Sequence, residues 1–444
     1  MKSNFSKGML MTALITGTVL CSSAATFAEE LQEYTLDQMV VTAQRTEKDD
    51  VDTPASVKVI TEKELTQSGA TNLYDGLKLA NGITSYGYGA NGQAWGGMSA
   101  KILIRGNDKG TLVMIDGAPI NMNNVYFLNT LPVEAVERIE IVKGASSVLY
   151  GSEASSGVIN IITKKQMQNS ISLSKAEYGK TREGISLGLG KLGIVANLEQ
   201  GDELKGYASN GRAMNDGKKS SVMWKYKFDD KWTVSHQHTD NDYQFNQYDT
   251  ATWKTLKEDS SFKYKEDFAR IQYNDGSLKG NLYYNRSDRH NNTYKIKKGT
   301  ASKWKIEHIT FDTLGLDLQK EFNTKVANII VGTTLEQQTY KCDNPYSGGK
   351  LVNQKLDKDA KTYAFFVQAT RDLGNDFTAT IGAREQFLKA NDNYYKEAAL
   401  TEILRHYINT DQTDSANAYI AKAEQELKGE ARTSLVSFMK MIQD

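Results

Sequence analysis

From residue 168 to residue 388 the chain repeats one pattern. Stretches of about 8 to 12 residues alternate apolar with polar side chains. Examples are 171–174, 222–228, 268–273, 278–284, 365–369 and 377–381, and Asp/Asn/Gly/Lys turns such as 229–231 and 274–276 separate them. Period two sends successive side chains to opposite faces, and short turns between such runs make the pairing antiparallel. Roughly ten strands are predicted, with no helical period between them. No later window holds the ~18 uninterrupted apolar residues of a spanning helix, so a helical membrane protein is excluded. A transmembrane barrel is not, because its strands alternate and average out in hydropathy. The 23 Tyr against 14 Phe suit strands with one wet and one apolar face. Taken alone, this segment fits a soluble β-sandwich equally well.

The start of the chain reads as an export address. Lys2 and Lys7 precede an apolar run from Met9 to Leu20, and small residues lead to Ala28 before Glu29 and Glu30. This is the layout of a secretory signal peptide over residues 1–28, cut after Ala28. The two cysteines cannot make a disulfide scaffold, and Cys21 falls in the segment to be removed. Lys+Arg and Asp+Glu balance at 54 each, so nothing in the charge points to nucleic acid. A charged fraction of 24% argues against bulk disorder.

Between these parts lie a leader (29–50) and a mixed α/β unit (51–165). The leader is polar and acidic, with one β-prone stretch at Met39, Val40, Val41 and Thr42. In the α/β unit, 57–60 reads as a strand, and Thr61 with Glu64 forms a capping box for a helix. Thr71 is placed to cap a second short helix carrying Leu73 and Leu77. A Gly-rich loop follows from Gly82 to Gly97. Residues 101–105, 111–115, 139–142 and 158–163 read as strands, and Pro132 fits the first turn of a helix through Val136. From 391 to 444, apolar residues including Tyr419, Ala423, Leu427, Leu435 and Phe438 recur at helical spacing, giving an amphipathic helical tail.

Four motifs in the α/β unit stand in register: Ile104-Arg105-Gly106; Asp116-Gly117-Ala118-Pro119; Glu137-Arg138-Ile139-Glu140 running on to Lys143-Gly144 and Leu149-Tyr150-Gly151; and Gly157-Val158-Ile159-Asn160. Together they resemble the plug domain of TonB-dependent outer-membrane receptors. Lys143-Gly144-Ala145 departs mildly from the family's usual Arg-Gly-Pro and keeps the positive charge. The resemblance implies an α+β plug domain followed by antiparallel transmembrane β-barrel strands (166–390), with the helical tail behind. It implies a receptor for a metal chelate, a ferric siderophore or cobalamin, working with the inner-membrane TonB complex and outer-membrane lipid. No enzymatic chemistry, cofactor or nucleic acid is implied. Met39, Val40, Val41, Thr42 and Ala43 resemble the TonB box, a segment able to add as a strand to a partner's sheet edge. Tyr86, Tyr88, Gln93 and Trp95, with Asn121, Asn123, Asn124 and Tyr126, fall in the two loops that rise towards the outer mouth in the family. Arg105, Glu137, Arg138, Glu140 and Lys143 fall where the family pairs plug with barrel wall. Gly106, Gly117, Gly144, Gly151 and Gly157 are assigned to tight turns.

Other signals are weaker. Gly87, Gly89 and Gly92 fit GxGxxG but lack its strand–turn–helix frame. His236 and His238 supply too few metal ligands, and His290, His308 and His406 are widely spread, so no metal site is expected. Asp240, Asp242 and Asp249 read as a solvated loop rather than a Ca²⁺ site. The wall is also short. A 22-stranded barrel needs on the order of 440 residues, and only about half that lies between the plug and residue 390. The strand set is therefore incomplete relative to 22. It would be completed by another chain, or it belongs to a truncated frame joined to unrelated sequence near 390. Two further readings stay open: a fragment that does not transport, and a soluble periplasmic binding or signalling module.

Overall fold

The computed structural model describes Met39–Val40, Arg45, Lys48–Asp49 and residues 56–390, apart from 71, 87–100, 108–109, 123–127, 129–130, 145–146, 176–178, 207–208, 214–215 and 375–376. The expected signal peptide and helical tail lie outside these residues. The leader contributes two short strands, β1 (Met39–Val40) and β2 (Lys48–Asp49), which pair antiparallel.

The α/β unit holds β3 (Ser56–Thr61), helix α1 (Glu62–Gln67), helix α2 (Leu73–Leu77), β4 (Ile83–Tyr86), β5 (Lys101–Ile104), β6 (Thr111–Ile115), β7 (Ala118–Pro119), β8 (Val136–Lys143), helix α3 (Ser147–Tyr150) and β9 (Gly157–Thr163). Its main sheet runs β3-β8-β9-β6-β7, and only β6 and β9 are parallel neighbours. β4 and β5 form a separate antiparallel pair. The capping box at α1 is complete: Thr61 Oγ1 accepts from Glu64 N–H at 3.2 Å, and Glu64 Oε2 accepts from Thr61 N–H at 2.7 Å. The Glu64 carboxyl, pushed up by partial burial, is brought below its ordinary value by these bonds and by Lys58. The cap of α2 is Asn72, whose Oδ1 accepts from Asp75 N–H at 3.0 Å, rather than the neighbouring Thr71. Asn72 is the better capper of the two residue types. Pro132 precedes a single 3-10 turn, Val133–Ala135, in place of a longer helix. The start of the Gly-rich loop is a strand, β4. Ile60, Leu65, Leu73, Leu77, Ile139, Ile141, Ile159 and Ile161 are each at most 1% exposed and form one core. Burial of such a side chain contributes about 1.5–3 kcal/mol.

The remaining strands form one antiparallel sheet: β10 (Ser170–Lys175), β11 (Thr181–Leu189), β12 (Leu192–Gly201), β13 (Asp216–Lys227), β14 (Trp232–Gln244), β15 (Gln247–Tyr248), β16 (Leu256–Asn274), β17 (Leu278–Lys297), β18 (Thr300–Asn323), β19 (Asn328–Ser347), β20 (Lys350–Gly374) and β21 (Phe377–Ala390). Consecutive strands are neighbours from β10 to β21, with short β15 set beside β16. β10 and β21 each have one neighbour among the described residues. Among those residues no helix is long and apolar enough to cross a membrane, which says nothing of a β-barrel.

The two faces of this sheet are reversed relative to a soluble sandwich. The face towards the plug carries buried polar groups: Ser235, Gln237, Glu266, Arg270, Asn285, Ser287, Arg289 and Thr313. The opposite face exposes Val222, Trp232, Ile271, Leu282, Leu314, Leu318, Phe365 and Val367. Register lines these up in cross-strand rows, for example Val234, Ile271, Leu282, Leu316, Leu335 and Tyr363. Apolar side out and polar side in is the pattern of a transmembrane barrel wall.

Candidate functional site: leader and plug seated on the wall

The plug touches the wall through three contacts, two polar and one apolar. The first is the Asp116–Gly117 turn after β6. Asp116 sits at φ 49° and Gly117 at φ 78°, so the chain folds tightly and aims the Asp116 carboxylate back at β9. There it accepts from Thr163 N–H at 2.7 Å and Thr163 Oγ1–H at 2.6 Å. The same carboxylate meets Lys225 Nζ of β13 at 3.3 Å. The Asp116 carbonyl accepts from Gln272 Nε2 of β16 at 2.9 Å, and the Pro119 carbonyl from Asn285 Nδ2 of β17 at 2.8 Å. One turn thus joins three wall strands.

The second contact is Glu134 in the 3-10 turn. Its Oε2 accepts from Arg182 Nη2 at 2.6 Å and from Asn197 Nδ2 at 3.0 Å. Arg182 continues to Glu199 at 3.4 Å, and Glu199 to Lys219 at 3.1 Å. Burial pushes the Glu134 carboxyl up, but Arg182 and Asn197 outweigh it and hold the group below its ordinary value. The third contact is apolar and begins beside Asn121: Met122 packs among Phe268, Ile309, Phe311 and Cys342 of the wall.

Arg45 of the leader is held between plug and wall. Its Nη1 lies 2.6 Å from Asp317 Oδ1 on β18, and its Nη2 donates to the Leu149 carbonyl of α3 at 2.8 Å. The guanidinium stands over the Tyr150 and Phe366 rings, at 4.4 and 4.7 Å. The Arg45 carbonyl accepts from Gln319 Nε2 at 2.9 Å and Lys279 Nζ at 3.2 Å. Asp317 and Tyr150 hold the Arg45 guanidinium above its ordinary value against the opposing effect of burial. Burial beside Asp317 and Glu140 likewise raises the Tyr150 hydroxyl. Arg45 was not among the sequence candidates. Only its place just after the β-prone stretch could have drawn notice.

Of the candidate TonB-binding residues, Met39 and Val40 form β1, opposite Asp49 and Lys48 of β2. Val41, Thr42 and Ala43 lie outside the described residues. Of the candidate ligand residues, Tyr86 ends β4 opposite Lys101. Tyr88, Gln93, Trp95, Asn123, Asn124 and Tyr126 lie outside the described residues. Asn121 is a correction. It is 3% exposed, its Oδ1 accepts from Val113 N–H at 2.8 Å, and its Nδ2 donates to the Thr111 carbonyl at 3.0 Å. Its amide braces β6 and is turned inward.

The expected plug–wall ion pairs are also corrected. Arg138 pairs with Glu137 and, at 2.8 Å, with buried Glu140 on its own strand. Arg138 and Glu140 stand two apart on one strand and so share a face. Lys143 donates to the Asn81 carbonyl. Arg105 is exposed beside Gly144, and among the described residues no ion pair joins it to the wall. Among the described residues, Glu134–Arg182 and Asp116–Lys225 are pairs that cross to the wall.

Four histidines lie on the outer face. His236 Nε2 and His238 Nδ1 both meet Asp267 Oδ1, at 3.0 and 2.9 Å. His290 and His308, far apart in sequence, are brought directly opposite each other on β17 and β18. Asp249 accepts from the N–H groups of Thr252, Lys254 and Thr255 and closes its own turn. Those bonds hold its carboxyl well below the ordinary range.

A family model described as TonB-dependent Receptor Plug Domain matches residues 49–158. The vitamin B12 transporter BtuB of Vibrio vulnificus (strain CMCP6) is 25% identical over 400 residues, which are 86% of this chain and 63% of that protein. The vitamin B12 transporter BtuB of Vibrio cholerae (strain ATCC 39541) is 33% identical over 250 residues, 51% of this chain and 39% of that one. This chain thus spans less than two thirds of the length of these curated relatives. Among solved structures, the P. aeruginosa FpvA complex with an iron-bound heterologous pyoverdine aligns at TM-score 0.59 and 16% identity, over 80% of this chain and 54% of that one. BauA, the ferric preacinetobactin receptor of Acinetobacter baumannii, aligns at 0.57 and 16%, over 80% and 60%. These two show likeness of fold. With a TonB-dependent receptor plug domain matched at 49–158 and an antiparallel wall behind it, the chain is similar to the TonB-dependent receptors over most of its length.

Proposed function

We propose that the chain serves as a TonB-dependent outer-membrane receptor for a metal chelate, cobalamin or a ferric siderophore. The single observation that carries this is the reversed wall, with an apolar outer face and a polar inner face on which the plug rests. The outer face suits lipid. The inner contacts suit a plug that must be shifted, because hydrogen bonds and ion pairs can be exchanged with water one by one. The leader is where force would enter. Residues 39–43 offer a partner a strand to pair with, and β1 is tied down by only two residue pairs. Pull there meets Arg45 next, and through it α3 and the wall. Cobalamin follows from the relatives at 25–33% identity, and ferric siderophores from the fold neighbours. Tyr86, Tyr88, Gln93, Trp95, Asn123, Asn124 and Tyr126 remain the proposed ligand contacts. Residues 1–28 remain the proposed export signal, and 391–444 the proposed helical tail.

A second reading rests on the sheet edges. β10 and β21 each pair on one side only among the described residues. A lipid-facing sheet must close, because an open edge leaves N–H and C=O groups unpaired in hydrocarbon. Transport therefore requires further strands, from this or another polypeptide. Without them the chain is a plug-bearing fragment that does not transport. The test is uptake of radiolabelled cobalamin and ferric siderophores by the native host, with and without Val40→Pro, alongside heat-modifiable gel mobility of its outer membrane. Uptake that Val40→Pro abolishes supports the receptor. A heat-modifiable band without uptake of either class overturns the ligand assignment, and no band supports the fragment.

A further inference from the structure

The outer face of the wall turns polar towards the Lys298–Gly299 turn. Along β17 the outward residues change from Leu282 and Tyr284 to Arg286, Asp288 and His290. Across from them on β18 stand Leu316, Leu314, Asp312, Thr310 and His308. A β-bulge sets this register. Thr293 pairs with Lys305 and Tyr294 with Lys303, so Trp304 is the extra residue. Were Trp304 paired in regular register with Thr293, His308 would oppose Arg289 and face the plug. With Trp304 bulged out, His308 opposes His290 on the outer face. Bulges commonly re-aim one side chain in this way.

We propose that Asp288, His290 and His308 form a binding site for one divalent transition-metal ion of the zinc class. The two imidazole rings stack, 4.0 Å between centroids at 13°. Both present Nε2 to the same oxygen: Asp288 Oδ1 lies 3.2 Å from His290 Nε2 and 3.1 Å from His308 Nε2. All three donor atoms lie within 4.8 Å of one another. Zinc bound at about 2.0–2.2 Å to nitrogen and oxygen in tetrahedral geometry holds its ligands about 3.3–3.5 Å apart. The two contacts to Asp288 need to widen by a few tenths of an ångström, and the stacked rings must tilt so that both in-plane Nε2 lone pairs converge on the ion. Two neutral imidazoles and a carboxylate are the donor set zinc prefers, and they leave a fourth position open to water. Loading moves each ring proton from Nε2 to Nδ1, so the neutral rings lose none. Arg286 supports the arrangement, its Nη2 3.9 Å from Asp288 Oδ2, which leaves Oδ1 to the rings. The surrounding charge is balanced: Lys265 is the register partner of Asp288, Lys263 of His290 and Asp343 of His308, and Lys263 is drawn to Asp242 at 3.0 Å.

The same wall carries its own control. His236 and His238 flank Asp267 from one strand and reach its Oδ1 through different ring nitrogens. Its donor atoms do not all lie within 4.8 Å of one another, as those of Asp288, His290 and His308 do.

The experiment is a Co²⁺ titration of the full-length, untagged protein in detergent micelles, following the visible bands of tetrahedral Co²⁺, then back-titration with Zn²⁺. His308→Ala, Asp288→Asn and His236→Ala are compared, each checked for the wild-type circular dichroism spectrum. The expected result is one tetrahedral Co²⁺ per chain, displaced by Zn²⁺. His308→Ala and Asp288→Asn should weaken binding by about tenfold or more, on the scale of lost metal contacts, and His236→Ala should not. Absence of the tetrahedral bands overturns the proposal, as does binding that survives in His308→Ala or falls equally in His236→Ala. None of these readouts depends on ligand uptake.

Discussion

Glu134→Gln isolates one plug–wall contact. The pair it breaks is largely buried, with side-chain exposure of 21% for Glu134 and 11% for Arg182. The carboxylate accepts one charge-assisted bond from Arg182 and one bond from Asn197. Charge-assisted bonds of this kind are worth about 1.5–3 kcal/mol. A fully stranded buried charge would cost about 3–5 kcal/mol, but Arg182 keeps Glu199 at 3.4 Å. The lower range therefore applies, and we expect a loss of about 2 kcal/mol in holding the 3-10 turn against β11 and β12. At about 1.4 kcal/mol per tenfold, that raises the local opening equilibrium about thirtyfold. The assay is hydrogen exchange of Val136–Lys143 by mass spectrometry in detergent micelles, run as a double-mutant cycle with Arg182→Gln. A coupling energy of about 1–2 kcal/mol is expected. A coupling below about 0.5 kcal/mol, or faster exchange spread over the whole plug, would refute the claim that this pair holds the turn to the wall.

The same contact sets a pH dependence. Glu134 is lower in the folded protein than in the unfolded chain, so its stabilisation is present above the unfolded carboxylate value and is lost as pH falls through the folded one. Protection of Val133–Ala135, taken relative to intrinsic exchange at each pH, should fall on acidification in the wild type and stay flat in Glu134→Gln. Asn121→Ala strands the Val113 N–H and the Thr111 carbonyl in the core and should cost about 1–3 kcal/mol of plug stability, read by protease resistance, while chelate affinity stays unchanged. Gly157→Ala is expected to be worse for the plug sheet. At φ 153° its new Cβ would stand 2.4 Å from the Val142 carbonyl oxygen, and a loss of about 2 kcal/mol or more in denaturant titration is expected. Leu282→Arg places a charge in the apolar outer rows and should cost about 2–4 kcal/mol of folding stability in vesicles. Unchanged stability there would deny the lipid-facing assignment.

Local rules carried much of the plug. Thr61 and Glu64 announce the first helix, and the apolar runs at 57–60, 111–115 and 158–163 announce strands that form. Neighbouring candidates competed at the second helix, where Asn72 rather than Thr71 caps. β4 hid in the Gly-rich loop because four residues carry little periodicity. In the wall, alternation revealed two faces, but only the seated plug shows which is inner. The charged run from Glu137 to Lys143 looked like a latch because sequence displays charge without partners. In three dimensions Arg138 is satisfied by Glu137 and Glu140. The actual crossings use Glu134, and Asp116 from a motif read only for its turn. Likewise His290 and His308 meet because Trp304 bulges out of the ladder, which period counting does not see.

Strand length has a further consequence. The strands from β16 to β20 run 19 to 25 residues. At about 3.3 Å per residue and about 40° tilt, 20 residues rise about 50 Å. The hydrocarbon band of an outer membrane occupies about 25 Å of that height. A wall spanning it therefore stands as a parapet about as tall again above the lipid. The hairpin at Lys298–Gly299 of such a wall would then stand well clear of the hydrocarbon. Side chains near that rim, the paired histidines His290 and His308 among them, would meet water rather than lipid.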